Sequence, residues 1–125
     1  MTLQEELRTL IERSHANFLE QIATVGRLLR QHDADGALSP DGINEAQAIT
    51  HQLKGTAGSM GFQSVGAAAS ALDESLKSLK KQSVPVAAQQ LLTALALWTA
   101  LQRIGDMTTP EMSTLYEVDL SKLTR

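Results

Sequence analysis

Cysteine is absent from this 125-residue sequence, and aromatic side chains are scarce, with two Phe, one Trp and one Tyr. The lack of cysteine excludes disulfides, thiolate metal sites and cysteine nucleophiles. The scarcity of aromatic residues argues against a β-sandwich, whose strands favour aromatic and β-branched side chains. Apolar residues still make up 42% of the chain and are mostly aliphatic. This composition favours a single domain in which helices pack on helices.

The sequence also lacks a long apolar run and an excess of basic residues. No uninterrupted apolar stretch approaches the ~18–20 residues that a membrane-spanning helix needs. The formal net charge of −3 provides no basic surface, so nucleic acid is not an expected partner. The first eight residues include two Glu and lack the basic-then-apolar order of a signal peptide. A cytoplasmic protein without a membrane segment is therefore the default expectation.

A first helix is predicted from the start of the chain. Thr2 followed by Glu5 is typical of a capping box at a helix start. Apolar residues then recur at helical spacing as far as Leu29, in a pattern that admits a break near residues 14–17. The Asp- and Gly-rich stretch 32–42 predicts a loop.

Three further helices are predicted between proline and glycine signals. The second runs from about residue 41 to about residue 60, where Gly61 is placed to end it. The third starts near Ser64 and carries Lys80 and Lys81 in its last turn. The fourth begins around the Ser83-x-Pro85 break and closes around Gly105. The residues expected to face the core are Leu7, Ile11, Phe18, Ile22, Val25, Leu29, Ile43, Ala46, Ile49, Thr50, Leu53, Ala57, Met60, Val65, Ala69, Leu72, Leu76, Leu79, Val84, Ala87, Leu91, Leu95, Trp98 and Leu101.

Four amphipathic helices joined by short loops predict an all-α fold, an antiparallel up-down four-helix bundle. We assign residues 1–105 to this bundle, including an additional N-terminal helical portion ahead of the break that the pattern allows near residues 14–17. Residues 106–125 are expected to be a C-terminal extension, either packed on the bundle or a loose tail.

The stretch 50–61, THQLKGTAGSMG, carries the most informative pattern in the chain. At about 100° per residue, His51, Lys54, Gly55 and Gly58 fall within roughly 100° of one another, on the face opposite Leu53. Each glycine inside a helix costs about 1 kcal/mol relative to alanine, and packing in the core cannot explain glycines on an exposed face. Bare backbone beside an imidazole instead gives a partner protein and a phosphoryl group access to it.

The residue types on this face suit phosphoryl transfer. An exposed imidazole is largely neutral and nucleophilic at cytoplasmic pH. Lys54 lies one turn from His51 and can place a mobile ammonium group against phosphoryl oxygens. Phosphoryl transfer needs in-line positioning and charge neutralisation more than covalent machinery. One nucleophile and one cation are therefore enough if a partner supplies the remaining groups.

The segment from His51 to Gly61, HQLKGTAGSMG, resembles the signature of histidine phosphotransfer (HPt) domains, especially those of hybrid sensor kinases. These domains are four-helix-bundle intermediates of bacterial multistep phosphorelays. The resemblance implies that His51 is the phosphoacceptor, through Nε2, and that Lys54 contacts the phosphate. It also implies that Gly55 is a required small residue and that Gly58 belongs to the receiver-docking surface. Further candidate binding residues are Gln47, Ala48, Gln52 and Asp73.

The same resemblance implies the partners of the chain. These are response-regulator receiver domains and a sensor histidine kinase. The chain would act as a monomeric carrier rather than an enzyme, without an ATP site of its own. No cofactor is expected in it, because Mg²⁺ would be needed only in the partner receiver domain.

Other ionisable residues are expected to be less informative. Members of the family often have Glu or Gln on the third helix near the histidine. The matching position here is Asp73, whose shorter side chain argues against an orienting hydrogen bond. Asp73 and Glu74 are expected to be ordinary surface acids, and His15 and His32 ordinary surface histidines.

Three other interpretations compete with phosphotransfer. Glu12 and His15 match one Glu-x-x-His element of a di-iron bundle, but such a site needs two elements and two further glutamates. A nucleotide-using enzyme needs a glycine-rich loop after a strand, whereas the glycines here lie in and at the end of a helix. A helical adaptor bundle that binds signalling partners without phosphorylation is the alternative function.

Overall fold

The computed structural model of the protein describes residues 2–35, 40–81 and 88–117. Within these ranges the chain forms four α-helices and no strand: α1 (Leu3–Asp35), α2 (Pro40–Ser59), α3 (Gln63–Lys80) and α4 (Ala88–Met107). A short 3-10 helix, Pro110–Met112, follows α4. Both α1 and α3 pack against α2 and α4, so that α2 and α4 occupy opposite corners of the bundle. The predicted all-α four-helix bundle is confirmed.

The core is aliphatic and follows the predicted helix faces closely. Of the predicted core residues that the structure describes, only Leu7, Ile49, Met60, Leu91 and Leu95 are half-buried at the edge of the core; the others are buried. Ala94 and Phe62 are buried without having been predicted. Val84 and Ala87 lie outside the described residues. Helical spacing was therefore sufficient to identify the faces that pack together.

Helix α1 is continuous over 33 residues, so the prediction that the helix could break near residues 14–17 is wrong. Contacts with other elements hold this region, because His15 Nε2 lies 2.6 Å from Thr108 O and the His15 ring packs beside Phe62. The additional N-terminal portion is simply the first part of α1. As predicted, Thr2 caps it, because its Oγ1 accepts a hydrogen bond from the Glu5 amide at 3.1 Å.

The loop predicted for residues 32–42 is shorter than expected. Helix α1 extends to Asp35 and α2 begins at Pro40, a residue that the first turn of a helix tolerates. Residues 36–39 and 82–87 lie outside the described ranges. At the other end of α2, Gly61 adopts φ = 80° and ends the helix as predicted.

Residues 108–117 pack across one end of the bundle. Ser113 Oγ donates to Met60 O at 2.5 Å, and Arg8 Nε donates to Tyr116 O at 3.2 Å. This stretch therefore joins the α2–α3 turn to the first part of α1. Residues 118–125 lie outside the description. No helix in the described ranges is long and apolar enough to cross a membrane.

Candidate functional site

Helix α2 presents His51 to solvent from the middle of its length. The neighbouring Thr50 and Leu53 are fully buried against the core, which fixes the rotation of the helix about its axis. The His51 side chain is consequently 59% exposed. This is the outward direction that the helical spacing predicts.

Asp73 of α3 is a buried hydrogen-bond partner of His51. The expectation of an ordinary surface acid is therefore wrong, and so is the expectation that its short side chain does not orient His51. Its side chain is 0% exposed, and its Oδ2 lies 3.1 Å from His51 Nδ1. The short side chain reaches because α3 lies close to α2. The two helices are in direct contact, since a Cβ atom at Gly66 would lie at ordinary van der Waals distances of 3.6 Å from Gly58 N and 3.8 Å from Lys54 O. Glu74, in contrast, is exposed as expected.

Both carboxylate oxygens of Asp73 have partners. Gln47 Nε2 donates to Oδ1 at 2.8 Å. Lys77 Nζ lies 3.2 Å from Oδ2, and Lys54 Nζ lies 3.9 Å from the same atom. A buried carboxylate is stable in its charged form only when it is paired in this way.

These contacts determine the protonation state of Asp73. Burial by itself would raise the pKa of the Asp73 carboxyl. Hydrogen bonds from Gln47, His51 and Lys77, together with the charge of Lys77, outweigh that effect and lower the pKa below its ordinary value of 3.8. Asp73 is therefore ionised at neutral pH and can only accept hydrogen bonds.

An ionised Asp73 also determines which tautomer His51 adopts. Since the carboxylate accepts, His51 Nδ1 carries the hydrogen of the 3.1 Å bond. In the neutral ring, Nε2 then bears the lone pair. The arrangement thus leaves an unprotonated nitrogen on an exposed ring whose other nitrogen is held from behind.

The predicted binding residues on α2 differ in how far they are buried. Gln47 is half-buried and acts inside the cluster, where it donates to Asp73 and accepts from Lys80 Nζ at 3.0 Å. Ala48 and Gln52 are exposed on α2 beside His51.

Gly55 and Gly58 form the open part of this face. A Cβ atom built on either glycine would meet nothing within 4 Å. Helix packing therefore does not require a glycine at these two positions.

Lys77 and Lys80 belong to this cluster and were not identified from the sequence. Lys77 lies one turn after Asp73 on α3, and such an i, i+4 pair is a recognisable local signal. Lys80 carries no comparable signal, because its contact is with Gln47 on another helix.

The other predicted histidines lie elsewhere. His15 is half-buried against Thr108 and Phe62, so its prediction as a surface residue is wrong. The side chain of His32 lies outside the described part of the chain. Among the described residues, no group of three or more His, Cys, Asp or Glu is arranged to hold a metal ion.

Comparison with known proteins identifies the family. The model of the Hpt domain matches residues 2–106, which is most of the chain. No curated protein and no solved structure gives a significant match. Hpt domains are phosphocarrier modules, generally not enzymes, that interact with receiver domains and kinases in phosphorelays. The chain belongs to the Hpt domain family and has the helical bundle of a histidine phosphotransfer module.

Proposed function

We propose that His51 accepts a phosphoryl group at Nε2 from the aspartyl phosphate of a receiver domain and passes it to a second receiver domain. The observation that carries this proposal is the hydrogen bond between His51 Nδ1 and the buried carboxylate of Asp73. It supports Nε2 as the nucleophile because it keeps the ring hydrogen on the other nitrogen. The 59% exposure of the side chain leaves that nucleophile accessible to a protein partner.

The transfer step then balances without the loss of a proton. The Nε2 lone pair attacks phosphorus, the new N–P bond forms, and the P–O bond to the receiver's aspartate breaks. The aspartate leaves as a carboxylate, and the His51 ring becomes a cation with its hydrogen still on Nδ1. Asp73 lies 3.1 Å from that hydrogen-bearing nitrogen and stabilises the cation as an ion pair. In the reverse step, a neutral imidazole leaves as the next receiver is loaded.

Lys54 and the two glycines serve the incoming group. Lys54 Nζ lies 3.9 Å from Asp73 Oδ2 and is 38% exposed, so it is free to turn towards phosphoryl oxygens on His51. Gly55, Gly58 and the exposed Ala48 leave the surface beside His51 without bulky side chains, and the exposed Gln52 borders it.

The carrier itself is expected to need no cofactor and no ATP site. Mg²⁺ would be bound only by the partner receiver domain. We expect a monomer, since a carrier must keep its His51 face free. We further assign the phosphotransfer bundle to residues 1–105 and an extension to residues 106–125.

Phosphoryl transfer from a radiolabelled receiver domain tests the proposal. The wild-type chain should take up label that is lost in acid and stable in alkali, as expected for phosphohistidine. His51→Gln should take up none, whereas His15→Gln should be labelled like the wild type. Label on His51→Gln would contradict the assignment. Receiver binding without label on any variant would instead support the adaptor function.

A further inference from the structure

The lysines in the described ranges are concentrated on the side of the bundle that carries His51. Of the lysines in the described ranges, one is Lys54 on α2, and the other three stand in the last turn of α3 or directly after it. The arginines in the same ranges lie on α1 and α4. The chain as a whole has a net charge of −3, so this local excess of positive charge is not a general property of its surface.

Three of these lysines form a continuous ridge, which we define as Lys54, Lys77 and Lys80. Lys54 and Lys77 both contact Asp73 Oδ2, and they are 38% and 40% exposed. Lys80 continues the ridge, because its Nζ donates to Gln47 Oε1 at 3.0 Å. The ridge therefore has a defined position along the α2–α3 side of His51.

The nearby acids do not cancel the outward charge of the ridge. Asp73 is 0% exposed, so its charge acts on the inner side of the ammonium groups. Glu74 lines a groove with Gln90 and Thr93 of α4, on the other side of α3. Glu45 lies about half a turn around α2 from Lys54, at about 100° per residue. A protein that docks over His51 therefore meets the ridge as a positively charged border.

We infer that the lysine ridge docks against an acidic surface beside the phosphorylated aspartate of the receiver domain and selects receivers by that charge. This inference rests on the proposed function. Complementary charges at the rim of an interface accelerate association and discriminate against partners of like charge. Because exposed charges are screened beyond about 8–10 Å at physiological salt, only acids close to the docked ridge contribute.

Two phosphoryl donors separate docking from the reactivity of His51. One is a purified receiver domain, and the other is phosphoramidate, a small donor that needs no protein surface. The key variants are Lys80→Glu, which reverses a ridge charge, and Lys80→Arg, which keeps it. Arg103→Glu is the matched control, because it makes the same charge change at an exposed position of α4. Helix α4 occupies the corner of the bundle opposite α2.

If the lysine ridge contributes to docking, reversing one of its charges should slow transfer from the receiver domain more than transfer from phosphoramidate. For Lys80→Glu, we expect the ratio of the receiver rate to the phosphoramidate rate to fall about 5- to 10-fold at low salt. The ratio should recover in Lys80→Arg and stay near the wild-type value in Arg103→Glu. Replacing the exposed acids beside the receiver's phosphorylated aspartate with amides should lower the rate of transfer from the receiver to the wild-type chain. The dependence of that rate on salt concentration should fall as well.

Other results would overturn the inference. Equal ratios for Lys80→Glu and Arg103→Glu would show that the ridge plays no part in docking, while phosphoramidate label that is present on the wild type and absent from His51→Gln would still support His51 as the acceptor. Absence of label from both donors would contradict the proposed function itself. In that case, the Kd for the unphosphorylated receiver domain tests the docking inference independently of phosphoryl transfer. Equal Kd values for Lys80→Glu and Arg103→Glu would show that the lysine ridge does not contribute to docking.

Discussion

His51 Nδ1 on α2 and Asp73 Oδ2 on α3 lie 3.1 Å apart, although 22 residues separate them in the chain. One partner is exposed and the other is fully buried. The buried partner is held ionised by Gln47 and Lys77, so it fixes the hydrogen on Nδ1 of the exposed ring. The packing of α3 on α2 thus decides which nitrogen of the neutral His51 ring bears the lone pair.

Asp73→Asn should slow phosphoryl transfer by at least ~10-fold without unfolding the bundle, because an amide no longer enforces the Nδ1–H tautomer. Single-turnover transfer from a labelled receiver measures the rate, and circular dichroism checks the fold. Glu74→Gln is the matched control, since Glu74 is the neighbouring acid but is exposed. Equal rates for the two variants would show that Asp73 does not position His51.

The lowered pKa of Asp73 predicts a pH dependence of stability. The folded-state pKa lies below the ordinary value of 3.8, so the ionised form stabilises the fold above that pH. This contribution is lost as the pH falls through the lowered folded-state value. Urea unfolding of the wild type between about pH 6 and pH 2.5 should therefore show a steeper loss of stability than Asp73→Asn. Parallel curves for the two proteins would contradict the shift.

Sequence spacing was enough for the bundle and for the outward face of α2. The period of apolar residues identified the core faces, and Gly61 marked the end of α2 correctly. The continuity of α1 was not predictable in the same way. It depends on contacts of His15 with Thr108 and Phe62, which lie far away in the chain.

The Asp73 cluster shows what helical periodicity cannot supply. An acid on an amphipathic helix suggests exposure, and its burial becomes favourable through the tertiary partners Gln47 and His51 together with Lys77 on the same helix. In the sequence, two signals singled out this position: the i, i+4 spacing of Asp73 and Lys77, and the match of Asp73 to a family position near the histidine.

Gly55→Leu should leave the fold intact but slow transfer from a receiver, because the new side chain would stand in open space beside His51. We expect a reduction of about 10-fold or more if the receiver docks on this face, since a single clash at an interface costs on the order of 1–3 kcal/mol. Gly55→Ala is the smaller control. An unchanged rate for Gly55→Leu would reject docking over this surface.

The same substitution should have opposite effects at two helical glycines. At Gly55 nothing lies within 4 Å of an added Cβ, so Gly55→Ala should raise the free energy of unfolding by about 1 kcal/mol. At Gly26 the added atom would overlap the Trp98 ring, so Gly26→Ala should lower it by about 1–3 kcal/mol. Urea unfolding curves of the two variants measure both values. Stabilisation by Gly26→Ala would contradict the packing of α1 on α4.

The most direct test of phosphoryl transfer through His51 is to identify the phosphorylated nitrogen by NMR. The chain, labelled with ¹⁵N-histidine, is phosphorylated, and the coupling of phosphorus to the ring nitrogens is recorded. We expect phosphorus on Nε2 of His51, with a hydrogen retained on Nδ1 beside Asp73. Phosphorus on Nδ1 of His51, or on His15 or His32, would contradict it.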